Sequence, residues 1–215
     1  MRVTVNSGRD NMTDYLKIDN QRLAYTATGS PSNPAILFVH GLMSHRGVWT
    51  RTVESFKEHF FCIAPDLLGF GDSDKPADGD YSIHAQADRV LKMANYFRLR
   101  QFHLVGHSMG GQISVYLTAK LAPQRVSKLV NVDGVVTGEL SARAQNVTRR
   151  MTAIAQRIPS LYRLSRTLSK WKPYAYWTFQ PWFYKIKEMP FESWETDRDH
   201  ASDSDIALSG PKAWD

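Results

Sequence analysis

Phe102-His103-Leu104-Val105-Gly106-His107-Ser108-Met109-Gly110-Gly111 runs from an apolar stretch into a glycine-rich turn, and a helical stretch follows. The G-x-S-x-G spacing suits a strand-to-helix turn that lifts a serine above the end of a sheet. Such a turn forces unusual backbone angles and crowds the main chain, so glycines flank the serine. The helix starting there aims its first amides and its dipole at the place where negative charge develops when a hydroxyl attacks a carbonyl. Ser108 is therefore the candidate nucleophile, and the Met109 N–H a candidate oxyanion donor.

A second glycine motif lies upstream. In Ala35-Ile36-Leu37-Phe38-Val39-His40-Gly41-Leu42-Met43 a buried-type strand runs straight into His-Gly, which leaves the next backbone N–H, that of Leu42, free to serve as the second donor. His40, Gly41 and His107, which border these donors, are assigned to the substrate-binding surface. A third block, Pro65-Asp66-Leu67-Leu68-Gly69-Phe70-Gly71-Asp72-Ser73, reads as a loop whose Asp66 and Asp72 carboxylates accept hydrogen bonds from nearby amides. Gly69-Phe70-Gly71 does not read as a dinucleotide site, because Asp74 occupies the place of the third glycine.

Hydrophobic periodicity sets these blocks in a common frame. Leu16-Lys17-Ile18 and Leu23-Ala24-Tyr25 alternate around Asp19-Asn20, which predicts an opening hairpin. Trp49, Val53 and Phe56 recur at helical spacing before a strand over 60–64. Ser82 is placed to cap a helix with Ile83, Ala87, Val90, Leu91, Ala94 and Phe97 on one face. A strand over 102–106, a helix from 108 to about 121 and a strand over 126–132 complete the alternation. The fold class is α/β: a mostly parallel sheet with helices on both faces and its site at the carboxyl ends of the strands.

The three blocks, in this order over roughly residues 13–136, resemble the α/β-hydrolase superfamily, of the esterase, lipase and C–C hydrolase type with a lid. A serine at position 108, where members that open epoxides or remove halide have aspartate, implies acyl or C–C bond chemistry. The resemblance further implies an ester or related acyl substrate and requires neither an organic cofactor nor a metal. It also implies two more strands after the lid, carrying an acid and a histidine in the order Ser, Asp or Glu, His. Neither segment is recognisable, so the chain reads as a truncated or divergent member with a weak nucleophile for want of its base. His200 alone follows Ser108 and reads as an exposed tail residue, while Asp133 ends a strand from which some relatives supply their carboxylate and is the candidate triad acid.

The division expected is a core over 1–136, an all-helical lid over 137–190 and an acidic tail over 191–215 that would begin a missing core segment. Val147, Met151, Ile154 and Ile158 step at helical spacing, and ten Lys or Arg residues lie between Glu139 and Glu188. Aromatic residues crowd the lid's second half, which suits either lid core with a solvated basic face or peripheral membrane contact. A non-catalytic protein that holds a lipid or a partner chain, the latter completing the sheet, is the alternative function class.

At 215 residues with 42% hydrophobic and 22% charged residues, the composition is that of a globular protein rather than a disordered one. The net charge of +6 comes without a nucleic-acid reading motif, so no nucleic-acid partner is expected. No apolar run approaches the ~20 residues that span a bilayer, the first 20 residues lack a signal-peptide core, and cytoplasm is the expected location. The single cysteine, Cys62, reads as core.

Overall fold

A computed structural model describes residues 13–134, together with Val136 and isolated positions between 153 and 174. The regions assigned to lid and tail lie otherwise outside the described residues.

The chain opens on an antiparallel hairpin, β1 (Asp14–Ile18) and β2 (Gln21–Thr28), in which Ile18 faces Gln21 and Leu16 faces Leu23. Asp19 and Asn20 form its turn at φ values of 49° and 65°. Two consecutive left-handed residues match the right-handed twist of the strands they join, and Asp and Asn are the side chains that tolerate this best. β3 (Ala35–Val39) and β4 (Phe61–Pro65) are buried at every position, the pattern of strands covered on both faces. β5 (Phe102–His107) and β6 (Val126–Val132) follow, and the sheet order is β1-β2-β4-β3-β5-β6, parallel from β4 onward.

Strand alternation sends side chains into two cores. Leu37, Val39, Ile63 and Leu104 pack on one face with Ile83, Ala87, Val90 and Ala94 of α2 (Ile83–Tyr96) and with Met109 and Ile113 of α3 (Met109–Tyr116). Ile36, Phe38, Cys62 and Ala64 face the other way, onto Trp49 and Val53. Val53 belongs to α1 (Thr50–Phe56), which a short 3-10 turn (Arg46–Trp49) precedes. Burying each large aliphatic or aromatic side chain stabilises the fold by about 1.5–3 kcal/mol, so the two cores fix the sheet from both sides. Cys62 is enclosed, and burial pushes its thiol up to about 11, which keeps it a protonated core residue.

Ser82 caps α2 as expected, accepting from Ala85 N at 3.2 Å. Two details differ from the periodic reading. Phe56 is 42% exposed and packs edge-on against Phe60, because α1 ends there and the stripe has no further turn to bury it. The helix expected to reach about 121 changes hydrogen bonding after Tyr116, and Leu117–Leu121 form a single π turn. No helix among the described residues is long and apolar enough to cross a membrane.

Candidate active site

Among the described residues, six other than glycine have positive φ, and three of them, Met43, Ser108 and Asp133, follow the carboxyl ends of β3, β5 and β6. These strands are neighbours in the sheet, so the three left-handed positions gather at one rim. Backbone strain concentrated like this is typical of sites where the surrounding structure holds a residue in place for use.

Ser108 has φ 52° and ψ −119° and stands as the residue before α3. Its N–H donates to Val132 O at 3.0 Å, while its carbonyl accepts from Gly111 N at 2.9 Å and Gln112 N at 3.2 Å. Its backbone is thus tied to β6 and to the first turn of α3. Its hydroxyl has no hydrogen-bond partner among the described residues, nor has the Asp133 carboxylate. The turn is tight: a Cβ at Gly110 would stand 2.3 Å from Val39 O and 2.4 Å from His40 O. Only glycine lets α3 approach the end of β3 this closely.

The loop after β3 lies directly against the serine. A Cβ at Gly41 would be 3.1 Å from Ser108 Cβ and 3.2 Å from both His107 O and His107 Nδ1. Leu42 follows, half-buried against the core cluster that contains the Met109 side chain. Neither the Leu42 N–H nor the Met109 N–H has an acceptor among the described residues.

His40 is placed beneath this surface rather than on it. Its side chain is fully buried. Nδ1 lies 2.8 Å from Gly41 O, and Nε2 accepts from Leu67 N at 2.9 Å. The Phe70 ring meets the imidazole edge-on at 5.7 Å. Burial is the largest influence and lowers the ring's pKa to about 4, against a weaker opposing pull from Asp66. His107 is half-buried beside Gly41, Gly41 itself is buried, and Asp133 is exposed at the end of β6.

The other described histidines serve the scaffold or the surface. His45 Nδ1 accepts from Gly47 N at 3.1 Å, His84 stacks on Tyr116 at 4.4 Å, His103 packs on Phe60 at 5.9 Å, and His59 is exposed. His200 lies outside the described residues.

The third motif braces the rim. The Asp66 carboxylate is fully buried and accepts from Asp72 N at 2.8 Å and from Arg46 N at 2.6 Å, while the Arg46 guanidinium pairs with it directly. Arg46 also reaches Asp72 at 2.8 Å and bonds to Thr13. Gly71, at φ 51°, leaves the room that the Asp66 carboxylate fills, since a Cβ there would lie 2.1 Å from it. Ser73 Oγ donates to Asp66 O at 2.7 Å and accepts from Ala24 N at 2.9 Å, anchoring the loop to β2. Sequence reasoning anticipated the Asp66–amide bonds and missed Arg46, which lies in no motif and meets its carboxylate 20 positions later. No cluster of metal-ligating side chains occurs among the described residues.

A mostly parallel sheet covered by helices, with a strained serine and open amides at its carboxyl rim, defines a class of α/β proteins that place chemistry at strand ends. The chain belongs to the α/β hydrolase fold family, whose pattern it matches over residues 34–198. It is 34% identical over 128 residues to an uncharacterized protein of Mycobacterium tuberculosis, covering 59% of this chain and 36% of that one. Lipase 1 of Psychrobacter immobilis is 36% identical over 113 residues, covering 52% of this chain and 35% of the lipase. Among solved structures, a membrane phospholipase A is 35% identical with a TM-score of 0.56, over 58% of this chain and 40% of that one. The chain thus spans little more than a third of the length of these curated relatives.

Proposed function

We propose that the chain carries the nucleophile and oxyanion site of a serine hydrolase acting on a carboxylic ester or related acyl substrate. The observation that carries the reading is the left-handed backbone of Ser108 beside two backbone amides that have no acceptor among the described residues, those of Leu42 and Met109. Relatives called lipase and phospholipase support it and make lipid esters the first class to test.

In this reading Ser108 Oγ attacks the carbonyl carbon as its proton passes to a general base, and the Leu42 and Met109 amides bind the oxygen that becomes negative. Collapse of the tetrahedral intermediate expels the alcohol, which takes the proton back from the base. Water, deprotonated by the same base, then attacks the acyl-serine, and as the acyl–Oγ bond breaks the base returns that proton to Ser108 Oγ and the carboxylic acid leaves. The base is proposed to be a histidine outside residues 13–134, because no imidazole within that range bonds to Ser108. Asp133 is the proposed acid that would orient it from the end of β6. No metal or organic cofactor is called for by this chemistry.

The test is turnover of p-nitrophenyl esters of short and long acids and of a lysophospholipid by the full chain, beside Ser108→Ala. Ester cleavage by the wild type that falls to background in Ser108→Ala supports the reading; equal rates in the two proteins contradict it. Where a triad is complete, removing its serine lowers kcat by about 10⁶, and even a small residual rate that depends on Ser108 lies beyond any structural side effect of trimming one hydroxyl.

A further inference from the structure

We infer that His40 is a positioning residue that fixes the direction of the Leu42 N–H by holding the Gly41 carbonyl in the opposite direction. The consequence for catalysis rests on the serine-hydrolase reading above; the geometry does not.

The protonation of the ring follows from its partners. Leu67 N–H can only donate, so Nε2, 2.9 Å away, presents a lone pair. A neutral imidazole with a bare Nε2 carries its hydrogen on Nδ1, and Nδ1 stands 2.8 Å from Gly41 O. The ring therefore donates to the Gly41 carbonyl. That carbonyl and the Leu42 N–H belong to one planar trans peptide, in which C=O and N–H point in opposite directions. Drawing the oxygen down to a fully buried ring turns the N–H away from that ring, and Gly41 itself lies against Ser108.

The alternative orientation is doubly disfavoured. Flipping the peptide would leave Nδ1–H without an acceptor inside a closed environment, where an unmade hydrogen bond is expensive. It would also put a carbonyl oxygen where an oxyanion has to sit. The ring cannot easily turn to follow, because Leu67 N holds its far nitrogen and Phe70 flanks it. The titratable groups that bear on the ring are Asp66, His45 and His107, and burial outweighs them in keeping it neutral.

Two substitutions separate the ring's two bonds. His40→Asn places an amide N–H near the Nδ1 position and gives up the acceptor for Leu67. His40→Gln reaches the Nε2 position with an acceptor and places no donor at Nδ1. The experiment measures, on the full chain, the rate at which a fluorophosphonate labels Ser108, the ¹⁵N–¹H cross-peak of Leu42, and thermal unfolding.

His40→Gln is expected to slow labelling about 100-fold, the scale set by losing one oxyanion donor. It should also move the Leu42 cross-peak, and His40→Asn should recover at least ~10-fold of the lost rate. Wild-type labelling by a folded His40→Gln, or an equal loss in both variants with Leu42 unmoved, overturns the inference. If the folded wild type does not label at all, the hydrolase reading fails; the positioning role still stands if Leu42 moves in Gln and not in Asn, and falls if it moves in neither. Imidazole ¹⁵N shifts of the wild type decide the matter even if a variant fails to fold: hydrogen on Nδ1 supports the role, and hydrogen on Nε2 overturns it.

Discussion

Replacing Ser108 by glycine should make the protein more stable while removing its proposed nucleophile. The backbone angles of 52° and −119° are the mirror image of an ordinary extended conformation, which side-chain-bearing residues avoid and glycine adopts freely. Holding a non-glycine residue there costs about 1–3 kcal/mol. Glycine relieves that strain but enlarges the conformational freedom of the unfolded chain, which offsets about 0.4–1 kcal/mol. The net expectation is a gain of roughly 0.5–2 kcal/mol over Ser108→Ala, which keeps the Cβ and the strain. For a chain of this length that is about 1–8 °C in Tm. The hydroxyl makes no hydrogen bond among the described residues, so its loss should contribute little, and Ser108→Ala should melt close to wild type. Differential scanning calorimetry of the wild type, Ser108→Ala and Ser108→Gly supplies the comparison. An alanine variant as stable as the glycine variant would refute the claim that the serine is held under strain.

Stability should also fall in acid through His40. Its folded pKa of about 4 lies below the usual 6.5, so the unfolded chain takes up the proton first. The contribution is fully present above pH ~6.5 and is lost as pH drops toward ~4, a change of about 3 kcal/mol that denaturant titrations at pH 7, 5.5 and 4 would resolve. In His40→Asn that part of the pH dependence should vanish, and its persistence would show that other groups carry it. Gly110→Ala drives a methyl into the Val39 and His40 carbonyls, and because backbone cannot step aside it should destabilise by about 1–3 kcal/mol in a urea melt. Arg46→Met leaves the buried Asp66 carboxylate with backbone donors alone, and an equilibrium unfolding loss near 3 kcal/mol is expected; replacing Asp66 by asparagine in the same protein should restore part of it.

What could be read directly from sequence was whatever nearest neighbours determine. Asp19-Asn20 marked a turn because few other pairs accept two left-handed residues, and Ser82 marked a helix start because its side chain satisfies an amide three positions on. Gly106, Ser108 and Gly110 marked the strand-to-helix turn for the same local reason. Groups that meet only after folding left no comparable sign. Arg46 and Asp66 come together because β3 and β4 lie side by side, and nothing around Arg46 announces it. His40 was visible as part of a motif, but the burial of its ring was not. Adjacency to a strand end places the residue, whereas the direction of its ring depends on Leu67 and Phe70 closing over it. Phe56 erred the other way: its helical spacing is right, and the helix ends before a neighbour can cover it.

The central claim is that the hydroxyl of Ser108 is a reactive nucleophile. Intact-mass and peptide mass spectrometry of the folded full chain after exposure to a fluorophosphonate tests it most directly. The account predicts a single adduct on the peptide containing Ser108, absent from Ser108→Ala. Folded wild-type protein that stays unmodified, or an adduct on another residue that survives the alanine substitution, would contradict it.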